Sequence, residues 1–192
     1  MKALLVHPHG SNWMGSGKDI TTIFNLMPPL GLLSIAAYLR AQGVGVEVLD
    51  CYGAPAGVAE HAADIIAGKP DVVGFSCTTS SFLEGYAIAE QVKERNPDIR
   101  IVFGGSHACS AGASLLDSFP AVDYLVIGEG ESTFAELLAS GFRNVESVPG
   151  VGFRRDGKGT LSASRENIPD LDSLPFPAYG LLPDFPRRYN LP

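Results

Sequence analysis

The chain has 192 residues with 45% hydrophobic and 18% charged side chains, enough to bury the core of one compact domain and a modest appendage. Fourteen basic against 21 acidic residues give a net charge of -7, which leaves no basic field for a nucleic acid. No apolar run reaches the roughly 18 to 20 residues of a membrane span, Lys2 opens no signal sequence, and a soluble cytoplasmic protein is expected. The three cysteines, Cys51, Cys77 and Cys109, are too few and too widely spaced for a disulfide framework or a zinc site.

In chain order, short β-branched runs alternate with helix-period segments. Ala3 to Val6, Val44 to Leu49, Val72 to Phe75, Ile101 to Phe103 and Tyr124 to Ile127 read as strands covered on both faces. Between them lie helices at Leu30 to Gln42, Ala56 to Ala67, Phe82 to Arg95 and, more weakly, Ala111 to Ser118, with Glu131 to Ser140 after the last. Ser81 and Glu84 have the spacing of a capping box, and Gly43, Gly68 and Gly141 supply stops. Five β/α units in succession predict a five-stranded, doubly wound parallel sheet of the Rossmann-like or flavodoxin-like α/β class.

Past residue 142 the chain changes. Residues 1 to 140 hold 7 basic and 15 acidic side chains, residues 141 to 192 hold 7 and 6, and half of the 14 prolines fall in the last 44 residues. Asp156-Gly157-Lys158-Gly159 predicts a small β-hairpin between Gly150 to Arg154 and Thr160 to Ala163, and the text from Ile168 onward reads as an extended linker. The expected division is an α/β domain over 1–142, a hairpin appendage over 143–166 and a Pro-rich linker over 167–192.

A sheet of this class binds ligands beyond the carboxyl ends of its strands. There the chain concentrates small and polar residues: Ser76, Cys77, Thr78 and Thr79 after the third strand, Gly104, Gly105, Ser106 and His107 after the fourth, and Gly128, Glu129 and Gly130 after the fifth. Glycines admit a ligand close to the backbone, and hydroxyls with free amides suit phosphate or amide groups. Each loop alone is as well explained by turn chemistry; three in succession point to a large polar ligand across the edge. Gly15-x-Gly17 and Gly128-x-Gly130 lack the third glycine of a dinucleotide fingerprint, and Gly74-Phe75-Ser76-Cys77-Thr78 lacks the last glycine of a nucleophile elbow. His7-Pro8-His9-Gly10 replaces the acidic residues a receiver domain needs. His61 is expected on the solvated face of its helix, and the cysteines are read as buried small hydrophobes.

The strings Val73-Gly74-Phe75-Ser76, Phe103-Gly104-Gly105-Ser106-His107, Gly128-Glu129-Gly130-Glu131-Ser132-Thr133-Phe134 and Ile168-Pro169-Asp170-Leu171-Asp172-Ser173-Leu174-Pro175-Phe176-Pro177 together resemble the N-terminal cobalamin-binding domain of radical SAM enzymes. Within that group the chain is similar to the anaerobic magnesium-protoporphyrin monomethyl ester cyclase type. The resemblance implies cobalamin on the carboxyl edge, its nucleotide tail between the sheet and the last helix against Ser76, Thr78, Gly104, Gly105, Gly128 and Gly130. The loop from His7 to Pro29, His9 included, would face the corrin. It also implies a following radical SAM domain of the same polypeptide, carrying S-adenosylmethionine and a [4Fe-4S] cluster on Cys-x-x-x-Cys-x-x-Cys, a spacing this chain lacks. The base-off motif Asp-x-His-x-x-Gly is matched at His9 alone, with His7 and Asn12 at its other positions, so no axial cobalt ligand is expected from the protein.

On this reading the chain is a module of a methyltransferase, cyclase or oxidoreductase, with no catalytic or metal-ligating residue of its own. Two alternatives stay open: a degenerate copy serving as a docking surface, marked by bulky side chains filling the groove beside the glycines, and a flavodoxin-like binder of FMN. Replacing Gly105 with Leu is expected to block the tail site and spare the fold.

Overall fold

The computed structural model describes residues 1–10 and 27–189. The loop expected to face the corrin, with Gly15 and Gly17, therefore lies outside the described residues except at its ends. Among the described residues seven strands form one sheet, in the order β2-β1-β3-β4-β5-β6-β7.

The five parallel strands are β1 (Lys2–His7), β2 (Gly45–Asp50), β3 (Val72–Ser76), β4 (Arg100–Gly104) and β5 (Tyr124–Val126). Their crossovers run through α1 (Leu30–Ala41), α2 (Val58–Ala67), α3 (Phe82–Arg95) and the short pair α4 (Ser106–Ala111) and α5 (Ser114–Ser118). After β5 comes α6 (Gly130–Ala139). This is the expected doubly wound arrangement, reversing direction between β1 and β3. The alternation of side chains along each strand splits the core. Leu4, Val6, Val73, Phe75 and Phe103 pack toward α2 and α3, with the Phe75 and Phe103 rings stacked at 4.8 Å. Ala3, Leu5, Val72, Val102 and Val126 face α1 and α6.

The hairpin forms as β6 (Val151–Arg155) and β7 (Lys158–Leu161), but it is not set apart from the sheet. β6 pairs antiparallel with β5, Leu125 opposite Gly152, and lengthens the sheet from five strands to seven. A Cβ on Gly152 would lie 2.9 Å from the Leu125 Cβ, so glycine permits the close pairing. Arg154 fastens the hairpin by donating to the carbonyl oxygens of Leu116, Phe119 and Val122 around the end of α5.

Three local expectations are corrected. Ser81 does not cap α3 with its side chain; its hydroxyl accepts the Thr78 amide at 3.1 Å and it is buried. His61 is 2% exposed, and neither ring nitrogen has a hydrogen-bond partner among the described residues. Cys51 and Cys77 are buried as expected, whereas Cys109 is exposed on α4.

The segment expected as an extended linker lies against the domain. The Ala178 amide donates to the Leu33 carbonyl at 3.1 Å, and Leu182 and Tyr189 are buried beside Leu33. Phe176, held between two prolines, is 95% exposed.

Candidate functional site

On the α1 and α6 face of the sheet a groove of about 300 Å³ opens at the carboxyl edge. Its position follows from the strand ends. β4 places Val102 and Gly104 on that face, β5 places Val126 there, and the turn after β5 carries Gly128 at φ +84° before α6 begins. Leu32 and Ile35 of α1 form one wall, Phe134 of α6 the other, and Leu5, Gly74 and Val102 the floor. The lining is mainly apolar, which suits a flat, neutral ring more than an anion. Glu129 and Glu131 stand at the mouth, each committed to a protein donor: Glu129 Oε2 accepts the Ile168 amide at 2.6 Å, and Glu131 Oε1 accepts the Ser34 hydroxyl at 2.7 Å.

The glycines fall into two kinds. Among the described residues a Cβ added to Gly31 or Gly128 would meet no atom within 4 Å, and one on Gly104 would make only ordinary contact with Val126, 3.5 Å from its oxygen. Protein packing does not require glycine's small size there, and the space is left beside the groove. Gly105 differs. At φ +87° its Cβ would lie 2.6 Å from the Cys77 oxygen and 2.8 Å from the Cys77 nitrogen, so this glycine lets two strand-end loops touch. The contact carries hydrogen bonds, from the Cys77 amide to the Gly104 carbonyl and from the His107 amide to the Cys77 carbonyl. The expectation that Leu at 105 spares the fold is therefore corrected. Gly130 is likewise crowded, its Cβ position 2.6 Å from Ile35 Cδ1.

Of the twelve residues singled out from sequence, Ser76, Gly104, Gly105, Gly128, Glu129 and Gly130 line this groove. The others lie elsewhere. Cys77 is buried on the opposite face, where desolvation raises its thiol pKa well above the ordinary value. Thr79 and His107 meet on the α3 side, with Nδ1 3.3 Å from the Thr79 hydroxyl and the imidazole 4.3 Å from the Phe82 ring. Thr78 pairs with the Ser80 hydroxyl at 2.9 Å, and the carbonyl of Ser106 accepts the Ser110 hydroxyl at 2.9 Å. His9 packs 4.5 Å from the Tyr52 ring, tilted by 37°, beyond β1 and β2. The apolar walls Leu32, Ile35 and Phe134 were not among the sequence candidates; Gly74, a glycine inside a buried strand, was the one signal for the floor.

Among the described residues no group of three His, Cys, Asp or Glu could hold a metal ion, and no helix is long and apolar enough to cross a membrane.

Comparison with known proteins identifies the family and the fold. The chain is 32% identical over 158 residues to an uncharacterised methyltransferase of Pyrococcus horikoshii, covering 81% of this chain and 34% of that protein. It is 33% identical over 150 residues to an anaerobic magnesium-protoporphyrin IX monomethyl ester cyclase of Synechocystis, covering 76% and 30%. The chain thus spans about a third of the length of these relatives. The fold matches that of the cobalamin-dependent S-adenosylmethionine radical enzyme OxsB, solved with aqua-cobalamin and S-adenosylmethionine bound, at a TM-score of 0.73 and 17% identity over 92% of this chain and 24% of that one. The family model described as the B12 binding domain matches residues 18–138, more than half of the chain, and the chain belongs to that family.

Proposed function

We propose that this chain is a cobalamin-binding module, acting in the cytoplasm within a longer radical SAM enzyme of the methyltransferase or cyclase kind. The observation that carries the reading is the open, apolar groove between the sheet and α6, bordered by Gly31, Gly104 and Gly128, whose missing side chains leave space that no atom of the described residues fills. A benzimidazole ring at the end of the nucleotide tail fits such walls. Leu5, Val102 and Phe134 would pack its faces, while the glycines let the sugar and phosphate pass close to the backbone. When bound, cobalamin supplies a redox-active cobalt centre that accepts and donates alkyl groups. This chain's own residues hold and orient it and shield the tail from water. S-adenosylmethionine and a [4Fe-4S] cluster would be held by a radical SAM domain elsewhere in that enzyme.

Among the described residues no bulky side chain fills the groove in the way that would mark a degenerate docking copy. FMN would bring a doubly charged terminal phosphate to the two carboxylates at the mouth, where the cobalamin tail brings a singly charged phosphodiester, so FMN is the more strongly repelled. The test is to mix the chain with hydroxocobalamin and pass it through gel filtration. Stoichiometric retention with a perturbed corrin spectrum is expected, and retention of FMN in place of cobalamin, or of neither, overturns the reading.

A further inference from the structure

Outside the groove, the same edge of the sheet carries a buried carboxylate that the proposed site does not use. Asp50, the last residue of β2, is 4% exposed. Its Oδ1 lies 2.9 Å from His7 Nδ1 and accepts the Tyr52 amide at 3.2 Å, and its Oδ2 accepts the Tyr189 hydroxyl at 2.8 Å. A carboxylate removed from water is costly unless its lone pairs are satisfied, and here strand, loop and a residue 139 positions away all serve it. Burial and the nearby Asp50 raise the pKa of the Tyr189 phenol, which stays protonated and remains a donor. Arg188 adds a hydrogen bond from its guanidinium to the Gly53 carbonyl.

The path leading to this contact passes both walls of the groove. Arg165 pairs with Glu136 of α6 at 2.6 Å, and Ile168 then donates to Glu129 at the mouth. Ala178 donates to Leu33 in the first turn of α1, next to the wall residue Leu32, and Leu182 and Tyr189 bury themselves against Leu33. Directly between the two helices, at the mouth, stands the Ser34 to Glu131 hydrogen bond. The strap ties α6 to α1 and α1 to the end of β2.

We propose that residues 165–189 act as a belt that holds the α1 wall at the width the groove's ligand requires, fastened by the contact between Asp50 and Tyr189. Both are positioning residues, and the inference rests on the reading that the groove takes the cobalamin tail. The variant Tyr189→Phe keeps the ring packing and removes the one hydroxyl. In the unliganded full chain it should speed amide exchange about tenfold over 178–189 and in α1 from Leu33 onward, whose amide donates to the Pro29 carbonyl, the worth of one hydrogen bond to a charged group, and leave β4 at the wild-type rate. Hydroxocobalamin should then dissociate about tenfold faster, with Asp50→Asn, which retains an acceptor for the phenol, in between.

Faster exchange confined to 178–189, or faster exchange in α1 with unchanged dissociation, overturns the belt. If the wild-type chain takes up no hydroxocobalamin, the cobalamin reading fails by itself, and exchange in α1 still decides whether the belt holds that wall.

Discussion

Gly104 and Gly105 are neighbours with different reasons to be glycine, and substituting each by Leu separates ligand space from protein packing. Gly104 ends β4 on the groove face, outside the left-handed region of φ, and its Cβ position is in ordinary contact with Val126. Gly104→Leu should fold with a stability change within about 1 kcal/mol, because strand residues tolerate Leu and its Cβ displaces no atom among the described residues. Its side chain enters a groove of about 300 Å³ and takes the place of one packed ring. Burying such a ring is worth about 2 to 3 kcal/mol, so the affinity for hydroxocobalamin should fall roughly 30- to 150-fold. Gly105→Leu forces a branched side chain into φ +87° and against Cys77 backbone atoms 2.6 and 2.8 Å away. Strain of about 1 to 3 kcal/mol and a comparable overpacking cost should appear in its urea midpoint. Spectral titration and urea unfolding of both variants are the assays. Wild-type affinity in Gly104→Leu, or wild-type stability in Gly105→Leu, would refute the assignment.

Three other outcomes are expected. His61→Leu should raise stability by about 1 kcal/mol in urea unfolding, since the buried imidazole makes no hydrogen bond among the described residues; a lower midpoint would show that the ring has a role this packing does not reveal. Arg154→Lys should cost about 2 kcal/mol, because a single ammonium nitrogen lacks the spread of Nε, Nη1 and Nη2 over the three carbonyls, and a neutral result would contradict that role for the hairpin anchor. Burial, with Asp50 and Glu84 adding to it, pushes the Cys51 thiol from 9.0 up to about 12. The neutral thiol is the native form, so its contribution is fully present below pH 9.0, shrinks as the unfolded thiol ionises and is lost as pH approaches 12. Thiol labelling at pH 8 should therefore modify Cys109 alone, with stability falling as pH rises above 9.0; fast labelling of Cys51 in the native state would contradict its burial.

The five parallel strands are legible in the sequence because a parallel sheet covered on both faces leaves continuous Val, Ile and Phe runs, and Val72 to Ser76 shows this most plainly. The groove was legible only at its glycine rim. Leu32, Ile35 and Phe134 occupy apolar helix positions that look the same whether they face a core or a cavity, so no pattern marks them. Gly104 and Gly105 are indistinguishable as letters; φ and the position of the Cys77 backbone tell them apart. His61 was misplaced because a polar residue type suggests a polar face, while its burial depends on packing between α2 and its neighbours. From Ile168 onward, proline content predicts extension and not what the extended chain lies against. Its anchors, Glu129, Leu33 and Asp50, are 39 to 145 positions away in the sequence.

If the groove takes the nucleotide tail of cobalamin, affinity must depend on that tail. The most direct measurement is the affinity of the full chain for hydroxocobalamin beside that for cobinamide, which has the corrin and cobalt but no nucleotide tail. A groove that takes the tail predicts binding of cobalamin and at least a tenfold weaker affinity for cobinamide. Equal affinities, or no uptake of cobalamin, would contradict it.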